Sequence, residues 1–128
     1  MICLMIGVDR EIIVVDDDTG VSRAIERMLH VSGWSTRSFI SAEDFLGSDA
    51  VEDVTLLILD VHLPGMSGLE LHEHLAGIGV RRPAIFITGQ DRPFYRERAL
   101  QAGAIAYLTK PFPGQELIDA VRRHVDGN

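Results

Sequence analysis

Three short runs of consecutive apolar residues mark the centre of the predicted fold. Residues 12–15, 56–59 and 84–87 contain only aliphatic or aromatic side chains, with no polar position between them. Strands buried on both faces have this pattern, which is typical of a parallel sheet covered by helices. We therefore predict three central strands, with weaker strand candidates at residues 35–39 and 106–108.

Apolar residues in the intervening segments recur at steps of three and four, which is the spacing of an amphipathic helix. The clearest stripe runs from Val21 to Leu29, and we expect that helix to end near Gly33. Further helices are predicted over residues 68–75, 92–102 and 114–125, with a brief one at residues 42–46. Strand and helix therefore alternate along the chain.

This alternation predicts an α/β fold with a single five-stranded parallel sheet and helices on both faces. Right-handed crossovers between five strands favour the flavodoxin-like strand order 2-1-3-4-5. At 128 residues the chain fits one compact domain. We assign residues 1–10 to an N-terminal extension and residues 11–126 to that domain.

Composition excludes several classes of function. The formal net charge of -7 argues against direct nucleic-acid binding, which needs clustered Lys and Arg. The apolar residues 1–6 are too few to span a bilayer and lack the basic start of a signal peptide. The single cysteine, Cys3, cannot form an internal disulfide. We therefore expect a cytoplasmic protein without a membrane partner.

Polar residues follow four of the predicted strands. Asp16 and Asp17 come after the first strand, Asp60 after the third, Thr88 after the fourth and Lys110 after the fifth. Ligands of such sheets bind at the carboxyl ends of the strands, where the strand order reverses. Three carboxylates there would repel one another unless a cation such as Mg²⁺ offset their charge. A carboxylate can also attack phosphorus, with a hydroxyl and an ammonium group holding the phosphoryl oxygens.

Four sequence blocks carry a resemblance to a known family. The blocks VVDDD (14–18), LDVHLPGMSG (59–68), ITG (87–89) and LTKPF (108–112) resemble the signature blocks of bacterial two-component response regulator receiver domains. The resemblance extends over nearly the whole chain. The wording of MSG (66–68), ITG and AGA (102–104) is most similar to receivers of the nitrogen-fixation-regulator type, whose outputs are often LuxR-type helix-turn-helix domains.

The resemblance implies how a phosphorylation site would be built. Asp60 would be the phosphoacceptor. Asp17 would ligate Mg²⁺ directly, Asp16 would act mainly through a metal-bound water, and Asp60 and the main-chain carbonyl of His62 would supply further ligands. Lys110 would hold the phosphoryl group.

The resemblance also implies a switch. Thr88 and Tyr107 would be the switch pair, in which the hydroxyl moves toward the phosphoryl group and the aromatic ring turns inward. The peptide bond between Lys110 and Pro111 is expected to be cis, which is uncommon enough to mark a specific turn. Glycines 65 and 68 are expected to serve backbone turns.

The predicted function is therefore a phosphoryl-accepting signalling switch of a two-component system. A sensor histidine kinase would be the donor, and the domain would catalyse only its own phosphorylation and slow dephosphorylation. The responding surface would be the fourth helix, fifth strand and fifth helix, residues 92–125, which often mediates dimerisation in this family. Its partner would be a second copy on phosphorylation, or an output domain or protein outside this chain.

A hydrolytic enzyme is the competing class. The DDD of residues 16–18, with Thr88 and Lys110, partly mimics the motifs of haloacid-dehalogenase-type phosphatases, with Asp16 as the nucleophile. That family would want Thr or Val at Gly20 and an acidic pair on a loop after the lysine, where this chain has a helical pattern. The phosphatase hypothesis also gives the aspartate of the third strand no purpose.

Overall fold

The computed structural model describes residues 11–125, in which five strands alternate with five helices. The strands are β1 (Glu11–Val15), β2 (Thr36–Phe39), β3 (Val54–Asp60), β4 (Ala84–Thr88) and β5 (Ala106–Thr109). The helices are α1 (Thr19–Val31), α2 (Ala42–Leu46), α3 (Gly68–Gly77), α4 (Pro93–Gln101) and α5 (Gly114–Val125). The assigned extension, residues 1–10, and the predicted domain end at residue 126 lie outside the described residues.

All five strands are parallel and form one sheet in the order β2-β1-β3-β4-β5. This arrangement confirms the predicted fold class and strand order. The central strand β3 pairs with β1 on one side and β4 on the other, so Ile58 lies between Val14 and Ile85. The strand order reverses between β1 and β3, and the loops after these two strands diverge there.

The core has two layers, one on each face of the sheet. Ile13, Leu57 and Phe86 face α2, α3 and α4, whereas neighbouring strand residues such as Val14 and Ile58 face α1 and α5. Because every position of a central strand packs against one layer or the other, the strands carry no alternation of polar residues. The continuous apolar runs of the sequence are thereby explained.

Side-chain caps fix the starts of three helices. The Asp18 carboxylate accepts hydrogen bonds from the backbone N–H groups of Gly20 and Val21, so this residue is the N-cap of α1. Ser41 caps α2, and Ser67 caps α3 in a reciprocal capping box.

The helix ends agree with the sequence predictions to within a few residues. Helix α1 ends at Val31, two residues before Gly33, whose φ of 95° terminates it. Helix α4 is one residue shorter at each end than predicted, because Arg92 has extended backbone and Ala102 is the C-cap. Within residues 11–125, no helix combines the length and the apolar character that crossing a bilayer would require.

Candidate functional site

The candidate site lies where β1 and β3 end side by side. Val15 pairs with Leu59 in the sheet, so the next residues of the two strands, Asp16 and Asp60, are neighbours. Carboxylate oxygens of Asp16, Asp17 and Asp60 all lie within 4.8 Å of one another. Asp16 and Asp60 are buried, whereas Asp17 is exposed at the rim. The predicted convergence of the three aspartates is therefore present in the fold.

Lys110 reaches this acidic group from the end of β5. Its Nζ donates a hydrogen bond of 2.9 Å to Asp60 Oδ2 and lies 3.0 Å from Asp16 Oδ2. The second contact lacks the alignment of a hydrogen bond and is an ion pair. Burial acts to lower the pKa of Lys110, but its hydrogen bond to Asp60 and its charge interactions with both aspartates raise the pKa overall, so the ammonium form persists. The bond from Lys110 to Pro111 is cis, as expected.

Burial disfavours the ionised form of Asp16. Complete burial raises its pKa from 3.8 to about 6, and the negative charge of Asp60 acts in the same direction. A 2.9 Å hydrogen bond from the Asp18 backbone N–H to Oδ1, together with Lys110, lowers the pKa without cancelling the effect of burial. A single ammonium therefore does not fully compensate the negative charge of the site.

Asp60 is held by donors on both of its carboxylate oxygens. Oδ1 accepts a 2.8 Å hydrogen bond from the backbone N–H of His62, and Oδ2 accepts the one from Lys110. The first residue of α3, Gly68, packs on the Asp60 backbone so closely that a Cβ there would lie 2.2 Å from the Asp60 carbonyl oxygen. Gly68 therefore serves a close approach, whereas Gly65, with φ of 75°, serves the expected turn.

The donor set fits a hard divalent cation. Asp16 Oδ2 is buried and has no hydrogen-bond partner among the described residues, and three carboxylates face one ammonium. Mg²⁺ prefers oxygen ligands and retains several waters. A site with two buried carboxylates and the exposed Asp17 at the rim is compatible with that coordination. Asp17 and His62 also line an open cleft, which leaves the site accessible from solvent.

Thr88 and Tyr107 lie on the adjacent strands β4 and β5. The Thr88 hydroxyl is buried and bonded to its own loop: it donates to the Gln90 carbonyl and accepts from the Gln90 N–H, both at 2.9 Å. The half-buried Tyr107 ring lies under the Arg96 guanidinium, 4.6 Å from the ring centroid, and Arg96 pairs with Asp91 at 2.7 Å. Burial raises the pKa of Tyr107, and the Asp91 charge adds to that shift.

The sequence did not single out Glu43, which contacts the loop beside the site. Its Oε2 accepts a 2.9 Å hydrogen bond from the backbone N–H of Met66, 23 residues further along the chain. An acid in the first turn of a helix is ordinarily explained by the helix dipole. Local sequence therefore gives no signal for this contact.

The chain matches known proteins over most of its length. Residues 12–122 match a family model described as the response regulator receiver domain. Nodulation protein W of Bradyrhizobium diazoefficiens is 39% identical over 110 residues, 86% of this chain and 48% of that protein. The transcriptional regulatory protein FixJ of Rhizobium meliloti is 32% identical over 115 residues, 90% of this chain and 56% of that protein.

The same similarity extends to solved structures. The crystal structure of a CheY-like response regulator receiver domain protein from Methanospirillum hungatei JF-1 has a TM-score of 0.82 and 28% sequence identity, and the match covers 92% of this chain and 94% of that one. By contrast, the chain spans about half the length of the curated relatives it matches.

Proposed function

The chain belongs to the response regulator receiver family, and we propose that Asp60 is the residue on which it accepts a phosphoryl group. Membership confirms the resemblance predicted from the four sequence blocks. It also supports a phosphoaccepting signalling switch rather than the haloacid-dehalogenase-type phosphatase with Asp16 as its nucleophile. The LuxR-type output remains a prediction.

One observation carries the assignment of Asp60: it ends the central strand β3, with a donor on each carboxylate oxygen and two further carboxylates beside it. Such a carboxylate is oriented, is paired with the Lys110 ammonium, and lies next to the carboxylates that would bind a cation. Asp16 differs in two respects. Its Oδ2 accepts no hydrogen bond from the described residues, and burial raises its pKa, so a larger fraction of this carboxyl is protonated at a given pH.

In the proposed reaction an Asp60 oxygen attacks the phosphorus of the donor, and the bond from phosphorus to the leaving group breaks. The product is an aspartyl phosphate. Lys110, which already contacts Asp60, would pair with a phosphoryl oxygen as a point charge. The Thr88 hydroxyl would break its hydrogen bond to the Gln90 carbonyl and donate instead to a second phosphoryl oxygen.

A bound Mg²⁺ would supply positive charge against the charge that develops on the phosphoryl oxygens. The residues proposed to hold it are Asp16, Asp17 and Asp60, with the main-chain carbonyl of His62. The mutual approach of the three carboxylates supports this assignment, as does Asp16 Oδ2, a buried oxygen that accepts no hydrogen bond from the described residues.

We propose a sensor histidine kinase as the donor and a conformational output through Thr88 and Tyr107. The added charge of a phosphoryl group would bias the surface formed by α4, β5 and α5. On that proposal the surface contacts a second copy of the chain, an output domain or a protein partner. Self-catalysed loss of the phosphoryl group would be slow.

A small phosphodonor tests the acceptor assignment directly. We expect acetyl phosphate with Mg²⁺ to add one phosphoryl group to the purified protein, as measured by intact-mass spectrometry, and EDTA to prevent it. Asp60→Asn should abolish the adduct. Asp119→Asn, at a half-buried aspartate of α5 outside the acidic group, is the matched control and should behave like the parent.

Two results would contradict the proposal. An adduct that survives in Asp60→Asn but disappears in Asp16→Asn would make Asp16 the acceptor. Rapid multiple turnover of phosphomonoesters would indicate a phosphatase.

A further inference from the structure

We propose that Glu43 is a positioning residue for the phosphorylation site, holding the β3–α3 loop in the conformation that the site requires. This inference rests on the proposed function of Asp60. Glu43 lies in α2, on a different element from every residue assigned to the site. Its carboxylate nevertheless bonds the loop, residues 61–67, that connects Asp60 to α3.

The contact is specific to the carboxylate and to the loop backbone. Oε2 accepts the Met66 N–H at 2.9 Å, and this hydrogen bond lowers the pKa of Glu43. The same carboxylate lies against Gly65: a Cβ at that residue would be 2.7 Å from Oε2. Gly65 also has a φ of 75°, a conformation that side chains disfavour. The turn therefore both presents an amide to Glu43 and leaves room for its carboxylate.

The loop that Glu43 holds carries two groups of the site. At its start, the His62 N–H donates to Asp60 Oδ1, and the His62 carbonyl is a proposed cation ligand. The two ends of the loop are fixed independently, because the Val61 N–H bonds the Ile87 carbonyl in β4 and Ser67 caps α3. Glu43 adds a partner from a third element at Met66.

Removing the Glu43 contact would leave the loop with more accessible conformations. Binding that needs one of them weakens by the fraction of time that conformation is populated. Because Glu43 is exposed at the surface, its removal should affect the loop more than the fold. The expected pattern is weaker Mg²⁺ binding with little change in thermal unfolding of the metal-free protein.

The test compares Mg²⁺ affinity, measured by calorimetry, in the full chain and its variants. Glu43→Ala should weaken Mg²⁺ binding by roughly three- to tenfold. Glu43→Gln keeps an acceptor oxygen without the charge and should restore part of the loss. Asp44→Ala removes the same charge from the same helical turn and should bind Mg²⁺ like the parent.

Amide hydrogen exchange of the metal-free protein provides a second measurement that does not depend on the proposed function. In Glu43→Ala, the Met66 and His62 amides should exchange roughly three- to tenfold faster than in the parent. Unchanged exchange at both amides would overturn the inference, as would an equal loss of Mg²⁺ affinity in Asp44→Ala. A parent protein that binds no Mg²⁺ would instead contradict the proposed cation site, and the exchange rates would still decide the role of Glu43.

Discussion

Three aspartates at the same edge of the sheet occupy three different electrostatic environments. Asp17 is exposed and free to bind a cation from the solvent side, whereas Asp60 is oriented by donors on both oxygens. Asp16 is wholly buried and has a pKa of about 6. The surroundings of each carboxylate, rather than its residue type, determine which one suits nucleophilic attack.

Asp16→Asn should stabilise the metal-free protein at neutral pH. Because folding raises the pKa of Asp16 from 3.8 to about 6, its contribution to stability is fully present below about pH 4 and is lost as the pH rises through 6. Asparagine removes this charge and can still accept from the Asp18 N–H. In EDTA at pH 7.5, urea unfolding should show a gain on the order of 2 kcal/mol, and the gain should vanish near pH 4.

The exposed neighbour of Asp16 provides the control for that measurement. Asp17→Asn should leave the free energy of unfolding within about 0.5 kcal/mol of the parent in EDTA. If Asp16→Asn were less stable than the parent at pH 7.5, the ion pair with Lys110 would outweigh the cost of burial, and our account of Asp16 would be wrong.

Gly68→Ala should destabilise the protein because there is no space for a side chain. The Cβ would lie 2.2 Å from the Asp60 carbonyl oxygen, and a backbone atom of the central strand cannot move aside easily. We expect a loss of about 1–3 kcal/mol in chemical denaturation. Gly77→Ala in the same helix has no atom within 4 Å of the new Cβ and should be neutral or stabilising. Equal effects of the two substitutions would exclude the close approach as the cause.

At the scale of single elements, the stability of α3 depends on the capping box formed by Ser67 and Glu70 at its N-terminus. The Ser67 hydroxyl accepts from the Glu70 N–H at 3.1 Å, and Glu70 Oε1 accepts from the Ser67 N–H at 2.9 Å. Ser67→Ala should therefore cost about 1 kcal/mol of unfolding free energy in urea denaturation. Ser67→Thr keeps the hydroxyl and should retain most of that stability; a loss as large as that of alanine would argue against the capping role.

The sequence predicted best those elements that are buried on every side, because burial restricts them to apolar residues. Strand β4 was predicted at residues 84–87 and spans Ala84–Thr88, because both of its faces are covered. Helix α4 left a fainter pattern, since only Ala99 of its residues is fully buried. The end of the predicted helix rested on Gly103, the residue that follows it.

The site was predictable only to the level that topology determines. Parallel strands end at one edge, so Asp16, Asp60 and Lys110 had to converge once the strand order was known. The hydrogen-bond partners could not be predicted, because they depend on tertiary approaches between distant segments. Two examples are the hydrogen bond from the Met66 N–H to Glu43 and the close approach of Gly68 to the Asp60 carbonyl. Neither contact produces a periodic pattern in the sequence.

At the scale of the whole molecule, cation binding should stabilise the fold. A ligand that binds only the folded state adds about 2.7 kcal/mol at a concentration one hundred times its dissociation constant. Thermal unfolding should therefore shift upward with increasing Mg²⁺ and return to its metal-free value in EDTA. Asp17→Asn should lose most of this shift, since it removes a proposed ligand without disturbing the core. A full shift in that variant would place the cation elsewhere.

The two-layered core explains why one edge of the sheet can carry so much charge. The apolar layers lie on the faces, and the aspartates lie at or just after the strand ends, so substitutions at the site and in the core affect largely separate contacts.

The pairing of Lys110 with Asp60 also determines when, during synthesis of the chain, the site can be completed. The two residues are 50 positions apart, and Lys110 follows β5, the strand of this sheet that comes last in the described sequence. A chain emerging from the ribosome presents both buried aspartates well before it presents the cation between them. Any product that stops short of Lys110 would carry the proposed acceptor without its counter-charge, so the proposed site is complete only in chains translated past this residue.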